Sequence, residues 1–506
     1  MPGKYIKKIL QANVYAVARQ TPLDQATLLS DRLDSKVLLK REDLQPVFSF
    51  KLRGAYNKIS TLSAAEKKKG VITASAGNHA QGVALAAARL GIKAVIVMGK
   101  NTPAIKIDAV RRLGARIELH GDGYDEAAEH ARQLVDSKGY CYVHPFDDAD
   151  VIAGQGTVAM EILRQHTGSL DLIFVPVGGG GLIGGVGAYV KYLRPEVRII
   201  GVEAEGSACL WAALKAGRRV RLKAEDLDQF ADGTSVRQVG VETFRLARLV
   251  VDEVVKVSID EICAAIKDVF EDTRSISEPS GALAVAGMKQ YLQQHELRDR
   301  TCVAVVSGAN MNFDRLRHVS ERTEIGEQRE ILLGVTIPER TGSFRQFCGV
   351  IGKRSITEFN YRFSQSRGGA QVLVGVRTSD DGSDRSELLA KLSKDYSVVD
   401  LSDNEVAVLH VRHMVGGRVP GIEDERLFRF EFPERPGALH QFLAVLGQGF
   451  NISMFHYRNH GSAYGRVLIG IQIPGRDRKK FEQGLVRIGY RFWEETDNPA
   501  YQLFLT

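Results

Sequence analysis

Lys51 lies between apolar neighbours in the run Ser49-Phe50-Lys51-Leu52-Arg53-Gly54-Ala55. A lysine so placed can form a Schiff base with a carbonyl and can take a proton from carbon once freed. Taken alone it reads more simply as a snorkelling lysine at a helix start. A second segment, Ser75-Ala76-Gly77-Asn78-His79, is a small polar loop opening a helix, where unpaired N–H groups can receive a carboxylate or phosphate. An ordinary helix cap is its commoner meaning. The third, Gly178-Gly179-Gly180-Gly181-Leu182, follows an apolar run and also opens a helix. Successive glycines let the backbone curl into a nest of N–H groups around an anion. The fourth, Ser307-Gly308-Ala309-Asn310, closes the last apolar run of this part.

The glycine loop contains a GxGxxG, from Gly179 through Gly181 to Gly184, and Glu203 stands at the end of the next apolar run. That spacing admits a dinucleotide site, with Glu203 on the ribose. Four consecutive glycines suit a compact phosphate better than an extended pyrophosphate. No Gly-Lys is followed by Ser or Thr, which excludes a Walker-type loop.

The elements that must position these loops alternate. Short β-rich runs at 71–73, 94–98, 116–120, 171–177, 198–203 and 302–306 are separated by helical patterns at 78–90, 103–113, 124–137 and 156–166. Such alternation predicts an α/β fold built on parallel twisted sheets. Ligands in such folds lie beyond the carboxyl ends of the strands, where the four segments fall. The charged stretch 321–330 reads as a linker, and after it the chain repeats itself. Residues 332–344 align with 427–439 around a shared Pro-Glu-Arg-x-Gly turn, 356–362 with 452–458, and 372–376 with 467–471. Each copy reads as a ferredoxin-like βαββαβ unit. With no catalytic cluster in either, the repeats read as binding or regulatory domains. The expected domains are 1–321, 330–402 and 425–497.

Composition narrows the class further. Of 506 residues, 25% are charged and 44% hydrophobic, as in an average globular protein. No run approaches the roughly 20 apolar residues of a membrane span. Residues 1–20 lack a secretory signal's apolar segment. The net charge of +7 is modest, and the basic runs 67–69 and 476–480 lack interleaved aromatics, so they read as solvated surface and no nucleic-acid partner is expected. Five scattered cysteines with no CxxC pair fit a reducing cytoplasm and predict neither a disulfide framework nor a zinc module.

Together and in this order, the four segments and the repeats resemble fold-type II (tryptophan synthase β-like) pyridoxal-5'-phosphate (PLP) enzymes, most closely the biosynthetic threonine dehydratases with paired ACT-like domains. The resemblance covers nearly the whole chain. It implies PLP as cofactor, with Lys51 as Schiff-base lysine and Cα base. It implies that Gly178, Gly179, Gly180, Gly181 and Leu182 form the phosphate cup, and that Ser307 partners the pyridine nitrogen. Ser75, Ala76, Gly77, Asn78 and His79 would take the substrate carboxylate, with Asn78 also beside the phenolic oxygen. The implied reaction converts L-threonine to 2-oxobutanoate and ammonia, the first step of isoleucine synthesis, in a cytoplasmic homotetramer. Isoleucine, with valine as a second candidate, would inhibit through the repeats, where Tyr361, Arg362, Tyr457 and Arg458 are the candidate contacts.

Departures from related patterns also count. Serine racemases place a second serine where this chain has Ala76, which has no proton to give. They bind a divalent cation through an acid at the place of Glu203 and another several residues on. Here Ser207, Ala208, Cys209 and Leu210 occupy that stretch, so no metal is expected. Glu278-Pro279-Ser280-Gly281 matches a loop near the cofactor but receives no chemical step, and His79 and His144 read as structural. The alternatives are a β-replacement enzyme or serine dehydratase of the same fold, a nicotinamide-dependent oxidoreductase using Gly179–Gly184, and a non-catalytic amino-acid sensor.

Overall fold

A computed structural model describes residues 3–313, 315–326, 330–338, 343–352, 354, 356–362, 370–378, 383–411, 423–433, 442, 450–458 and 464–504. The chain divides into two units, Met1–Val319 and Ser320–Thr506.

The first unit carries strands β1 (Leu23–Gln25), β2 (Lys36–Arg41), β3 (Val71–Ala74), β4 (Ala94–Met98), β5 (Arg116–Leu119), β6 (Cys141–Tyr142), β7 (Leu172–Pro176), β8 (Arg198–Ala204), β9 (Glu253–Val257) and β10 (Thr301–Val306). They form a six-stranded sheet, β1-β2-β10-β7-β8-β9, and a four-stranded sheet, β5-β4-β3-β6. All neighbours are parallel except β1 on β2. Both faces of β2, β3, β4, β7, β8 and β10 are buried, which is why they read as largely apolar runs, whereas β1, β5 and β6 are partly exposed. On β7, Ile173 and Val175 enter one core while Leu172 and Phe174 enter the other. On β10, Val303 and Val305 oppose Cys302, Ala304 and Val306 in the same way.

The helix Lys51–Ser60 connects the two sheets' layers at backbone distance. A Cβ on Gly154, of helix Ala149–Gln165, would lie 2.7 Å from the Arg53 carbonyl oxygen and from the Gly54 Cα. One on Gly82, of helix Asn78–Leu90, would lie 3.1 Å from the Leu52 nitrogen and the Lys51 carbonyl carbon. Beneath this helix lies a buried quartet of two cations and two anions. Arg53 donates a fork to Glu42 (2.8 and 2.8 Å) and a third bond to Glu161 (2.6 Å), which also receives Lys40 (2.6 Å). All four side chains are essentially inaccessible, so pairing, a bond donated by the Thr21 hydroxyl to Glu42 and one accepted by Thr157 from Arg53 are needed to hold their charges.

The second unit holds two four-stranded antiparallel sheets. The first has β11 (Glu330–Ile337), β12 (Ile356–Arg362), β13 (Ala370–Arg377) and β14 (Ser397–Asp400), with helices Ser343–Ile351 and Ser383–Asp395 between them. The second has β15 (Glu425–Pro433), β16 (Asn451–Arg458), β17 (Tyr464–Gln472) and β18 (Arg491–Glu494), with helix Arg478–Ile488 before β18. Both sheets run second-third-first-fourth, and each second strand carries a register shift at the corresponding place, Ile356/Glu358 and Ile452/Met454. Alternate side chains of β11 go two ways: Ile331, Leu333 and Val335 into their own sheet's core, Leu332 into a core shared with Leu427 and Leu468 of the other copy.

Two boundaries differ from the sequence reading. Within the segment 321–330 the helix Arg315–Gly326 takes up residues 321–326, and Glu330 already belongs to β11. The last copy does not stop at 497, because helix Pro499–Phe504 adds Tyr501 and Phe504 to the shared core. Tyr361 pairs with Val372 and Tyr457 with Val467, but their side chains and those of Arg362 and Arg458 lie outside the described residues.

Candidate active site

Lys51 is the first residue of its helix, and the chain before it is laced to the end of β10. Phe50 N–H donates to the Ser307 carbonyl (3.3 Å), Ser49 bridges Gly308, and Ala309 N–H donates to the Phe48 carbonyl (2.9 Å). Phe48 reaches this position with φ of +54°, a strained value for a large L residue. The Lys51 Nζ donates to the Pro145 carbonyl at 3.3 Å. Burial pushes its ammonium down to about 8, against the opposing pull of the Glu278 carboxyl. Such an amine is partly neutral near physiological pH, as a Schiff-base lysine must be.

Pro145 leads directly to Phe146, whose ring closes on the glycine loop. A Cβ on Gly179 would lie 2.2 Å from that ring, and one on Gly178 would lie 2.9 Å from the Thr234 backbone. Gly180 has φ of +89° and caps helix Gly181–Leu193 with no side-chain bond. The Gly179 carbonyl is taken by the Thr243 hydroxyl (2.7 Å) and the Gly178 carbonyl by the Cys209 thiol (3.5 Å). With its carbonyls engaged by the protein, the loop offers N–H groups at a helix start, an arrangement that receives an anion.

The loop after β3 makes a second such end. Gly77 precedes helix Asn78–Leu90 without a side-chain cap, and a Cβ built on it meets open space. Ser75 accepts the Gly77 N–H (3.3 Å), and Ala76 packs beside the small sheet's core. The His79 ring is buried on the Val143 carbonyl (2.9 Å), and burial, then the Lys51 charge, push it down to about 3. The ring is therefore neutral and turned into the protein. His144 Nδ1 accepts the Asp147 N–H (2.8 Å), closing the turn that carries Phe146.

Ser307 is buried at the end of β10, and its hydroxyl donates only a long bond, 3.3 Å, to the Ser280 carbonyl. Beside it stand groups to which the sequence reading gave no step or did not single out. Glu278 starts helix Pro279–Gln294, and its backbone N–H donates to the Gly308 carbonyl (3.1 Å). Its side chain accepts Asn78 Nδ2 at 2.6 Å. Burial, then the Asp232 charge, push its carboxyl up to about 7. Asp232 is itself held down at about 2 by Lys106 and Arg315, against its burial. Asn310 bonds Asn78 from the other side (2.6 Å). A helix-start pattern, acid followed by Pro279, marks Glu278 in the sequence; nothing local marks Asn310 or Asp232.

Glu203 accepts the N–H groups of Leu210 (2.9 Å) and Trp211 (2.8 Å) at the start of helix Cys209–Ala216. Its carboxylate is thereby committed to a helix end, not directed at a ribose, which removes the geometric support for a dinucleotide site.

The residues present fit PLP. Two uncapped helix starts suit its phosphate and a substrate carboxylate, and an amine held near 8 suits its aldehyde.

A family profile described as pyridoxal-phosphate dependent enzyme matches residues 14–308. A profile for the C-terminal regulatory domain of threonine dehydratase matches twice, over 321–411 and 416–505. The chain is 54% identical over 506 residues to L-threonine dehydratase biosynthetic of Burkholderia multivorans, covering 99% of both chains. Among solved structures it is similar to the processed form of threonine deaminase isoform 2 from Solanum lycopersicum, at 50% identity and a TM-score of 0.62, over 63% of this chain and 93% of that one. It is also similar to the threonine deaminase of T.th., at 37% identity and a TM-score of 0.57, over 61% of this chain and 99% of that one.

Proposed function

The chain belongs to the pyridoxal-phosphate dependent enzymes, in the family of biosynthetic threonine dehydratases, and from that premise we propose how its own residues carry out the reaction. The protein deaminates L-threonine to 2-oxobutanoate and ammonia in isoleucine biosynthesis. PLP, when bound, supplies the electron sink that stabilises negative charge at the substrate Cα. Lys51 would hold the cofactor covalently and, with its amine free, would take the substrate Cα proton. The N–H groups of Gly178, Gly179, Gly180, Gly181 and Leu182 hold the phosphate. The uncapped start of helix Asn78–Leu90, with Ser75, Ala76 and Gly77, receives the substrate carboxylate. His79 contributes its backbone there, since its ring is spent on Val143. Ser307, whose hydroxyl makes only a long bond to the Ser280 carbonyl, would partner the ring nitrogen. A neutral hydroxyl cannot keep a proton on that nitrogen, which favours elimination over transamination. Ala76 offers no acid on the opposite face, which disfavours racemisation.

The observation that carries this reading is the chain of contacts Lys51–Pro145–Phe146–Gly179, which joins a lysine of depressed basicity to the glycine loop. The test is to supply the protein with PLP and threonine and assay 2-oxobutanoate, with serine as competitor. Turnover of serine alone would make it a serine dehydratase. Formation of a β-substituted amino acid on addition of a nucleophile, in place of 2-oxobutanoate and ammonia, would favour β-replacement.

The paired regulatory domains act on the catalytic rate through a small ligand, and isoleucine is that ligand in this proposal, with valine as a second effector. Tyr361, Arg362, Tyr457 and Arg458 remain its proposed contacts. Among the described residues no helix is long and apolar enough to cross a membrane. A cytoplasmic homotetramer is the proposed setting.

A further inference from the structure

Asparagine amides look alike from either end, but a fixed backbone carbonyl settles which end is which. The Val47 carbonyl can only accept, and Asn310 Nδ2 lies 2.8 Å from it. The same nitrogen lies 2.6 Å from Asn78 Oδ1, so both of its hydrogens are committed. Asn78 Oδ1 is therefore an acceptor already occupied, and Asn78 Nδ2 gives one hydrogen to Glu278 Oε1 at 2.6 Å. A flipped Asn78 would set its oxygen against the Glu278 carboxyl and its nitrogen against the Asn310 nitrogen. Glu278 is in turn fixed by its backbone bond to Gly308 and by the close approach of Gly308, where a Cβ would lie 2.6 Å from Oε1.

We propose that Asn310 is a positioning residue which locks the Asn78 amide so that it shows the active site one N–H and no oxygen. The proposal rests on the proposed PLP chemistry and on the place the family resemblance implies for Asn78, beside the negative ring oxygen of PLP. There an N–H stabilises the oxygen's charge and a carbonyl would repel it. The amide's orientation therefore sets the pH at which the visible absorption of the lysine-bound cofactor changes.

The experiment is a double-mutant cycle on the holoenzyme, reading that pH midpoint by absorption, with thermal melting beside it. Asn310→Ala should raise the midpoint by about one unit, a tenfold change in the proton equilibrium. Asn78→Ala should raise it similarly, and Asn310→Ala should add nothing in the Asn78→Ala background, where no amide is left to orient. Should Asn310→Ala fail to fold, Asn310→Leu, which keeps the volume and removes both donors, is read the same way. A parental midpoint in the Asn310 variant, or shifts that simply add in the double variant, would overturn the lock alone. A parent protein with no visible band on addition of PLP, or an Asn78→Ala variant with the parental midpoint, would overturn the underlying reading and the lock with it.

Discussion

Lys51 is asked to do two things, and its surroundings bear on both. Lys51→Ala is expected to abolish the visible band and to lower turnover of threonine by at least about a thousandfold, since the covalent anchor and the Cα base go together. Residual turnover within about tenfold of the parent would exclude Lys51 from the chemistry. In the cofactor-free protein only the neutral amine attacks an aldehyde. Cofactor attachment should therefore accelerate as pH rises, with a midpoint near the depressed value of about 8. The Glu278 charge raises that value, so Glu278→Gln should move the midpoint down; stopped-flow absorption against pH checks the sign. At Gly180, with φ of +89° and Thr243 Cβ 3.0 Å from a built Cβ, Gly180→Val is expected to cost about 1–3 kcal/mol of strain and weaken PLP binding about tenfold or more. Unchanged PLP affinity would move the phosphate elsewhere. At this scale the sequence is legible where a residue type is chemically unusual: the lysine and the four glycines. It is silent on Asn310, because an asparagine's partners are set by residues 232 and 263 positions away.

Among the elements, the helix Lys51–Ser60 decides how accurately the lysine is placed. Its crossing with helix Ala149–Gln165 is made at Gly54 and Gly154, with no room for a methyl group. Gly154→Ala should push the helices apart at a cost of about 1–3 kcal/mol, and cofactor affinity should fall with stability. Denaturant melts that match the parent would contradict the tight crossing. Arg53 sits two residues beyond Lys51 and faces the buried Glu42 and Glu161. Arg53→Met leaves those carboxylates with Lys40 as the remaining cation of the quartet and should cost about 3–5 kcal/mol. The central strands, such as β3, β4 and β7, were readable because both of their faces are buried. The ion quartet was not, because its members are spread from Lys40 to Glu161 in sequence.

For the whole molecule, the division at Val319/Ser320 separates the PLP-binding unit from the paired regulatory domains. A chain ending after Gly326, at the close of its helix, should still turn over threonine but no longer respond to isoleucine. The T.th. enzyme, nearly all of which is matched by 61% of this chain, makes an independent catalytic unit a reasonable expectation. Isoleucine inhibition requires tighter binding to a less active state; equal affinity for both would change nothing. Assays of both chains with rising isoleucine decide. Sensitivity kept by the shorter chain would put the effector site in the catalytic unit, and insensitivity of both would remove isoleucine as the ligand.

The sequence by itself determined the order of the elements, the duplication at the C-terminal end, and the four segments to which the chemistry is assigned in the proposed function. These are local properties: apolar periodicity, glycine runs and a lysine among apolar neighbours are written in consecutive residues. The tertiary structure alone decided that Glu203 caps a helix, that Glu278 reaches Asn78, and that Asn310 bonds Asn78 from the other side. It also carried the helix Arg315–Gly326 through a stretch whose charge suggested open chain. Those outcomes depend on burial and on partners distant in sequence. A polar side chain taken out of water must find a hydrogen-bond partner, and only the packed fold determines which one is within reach.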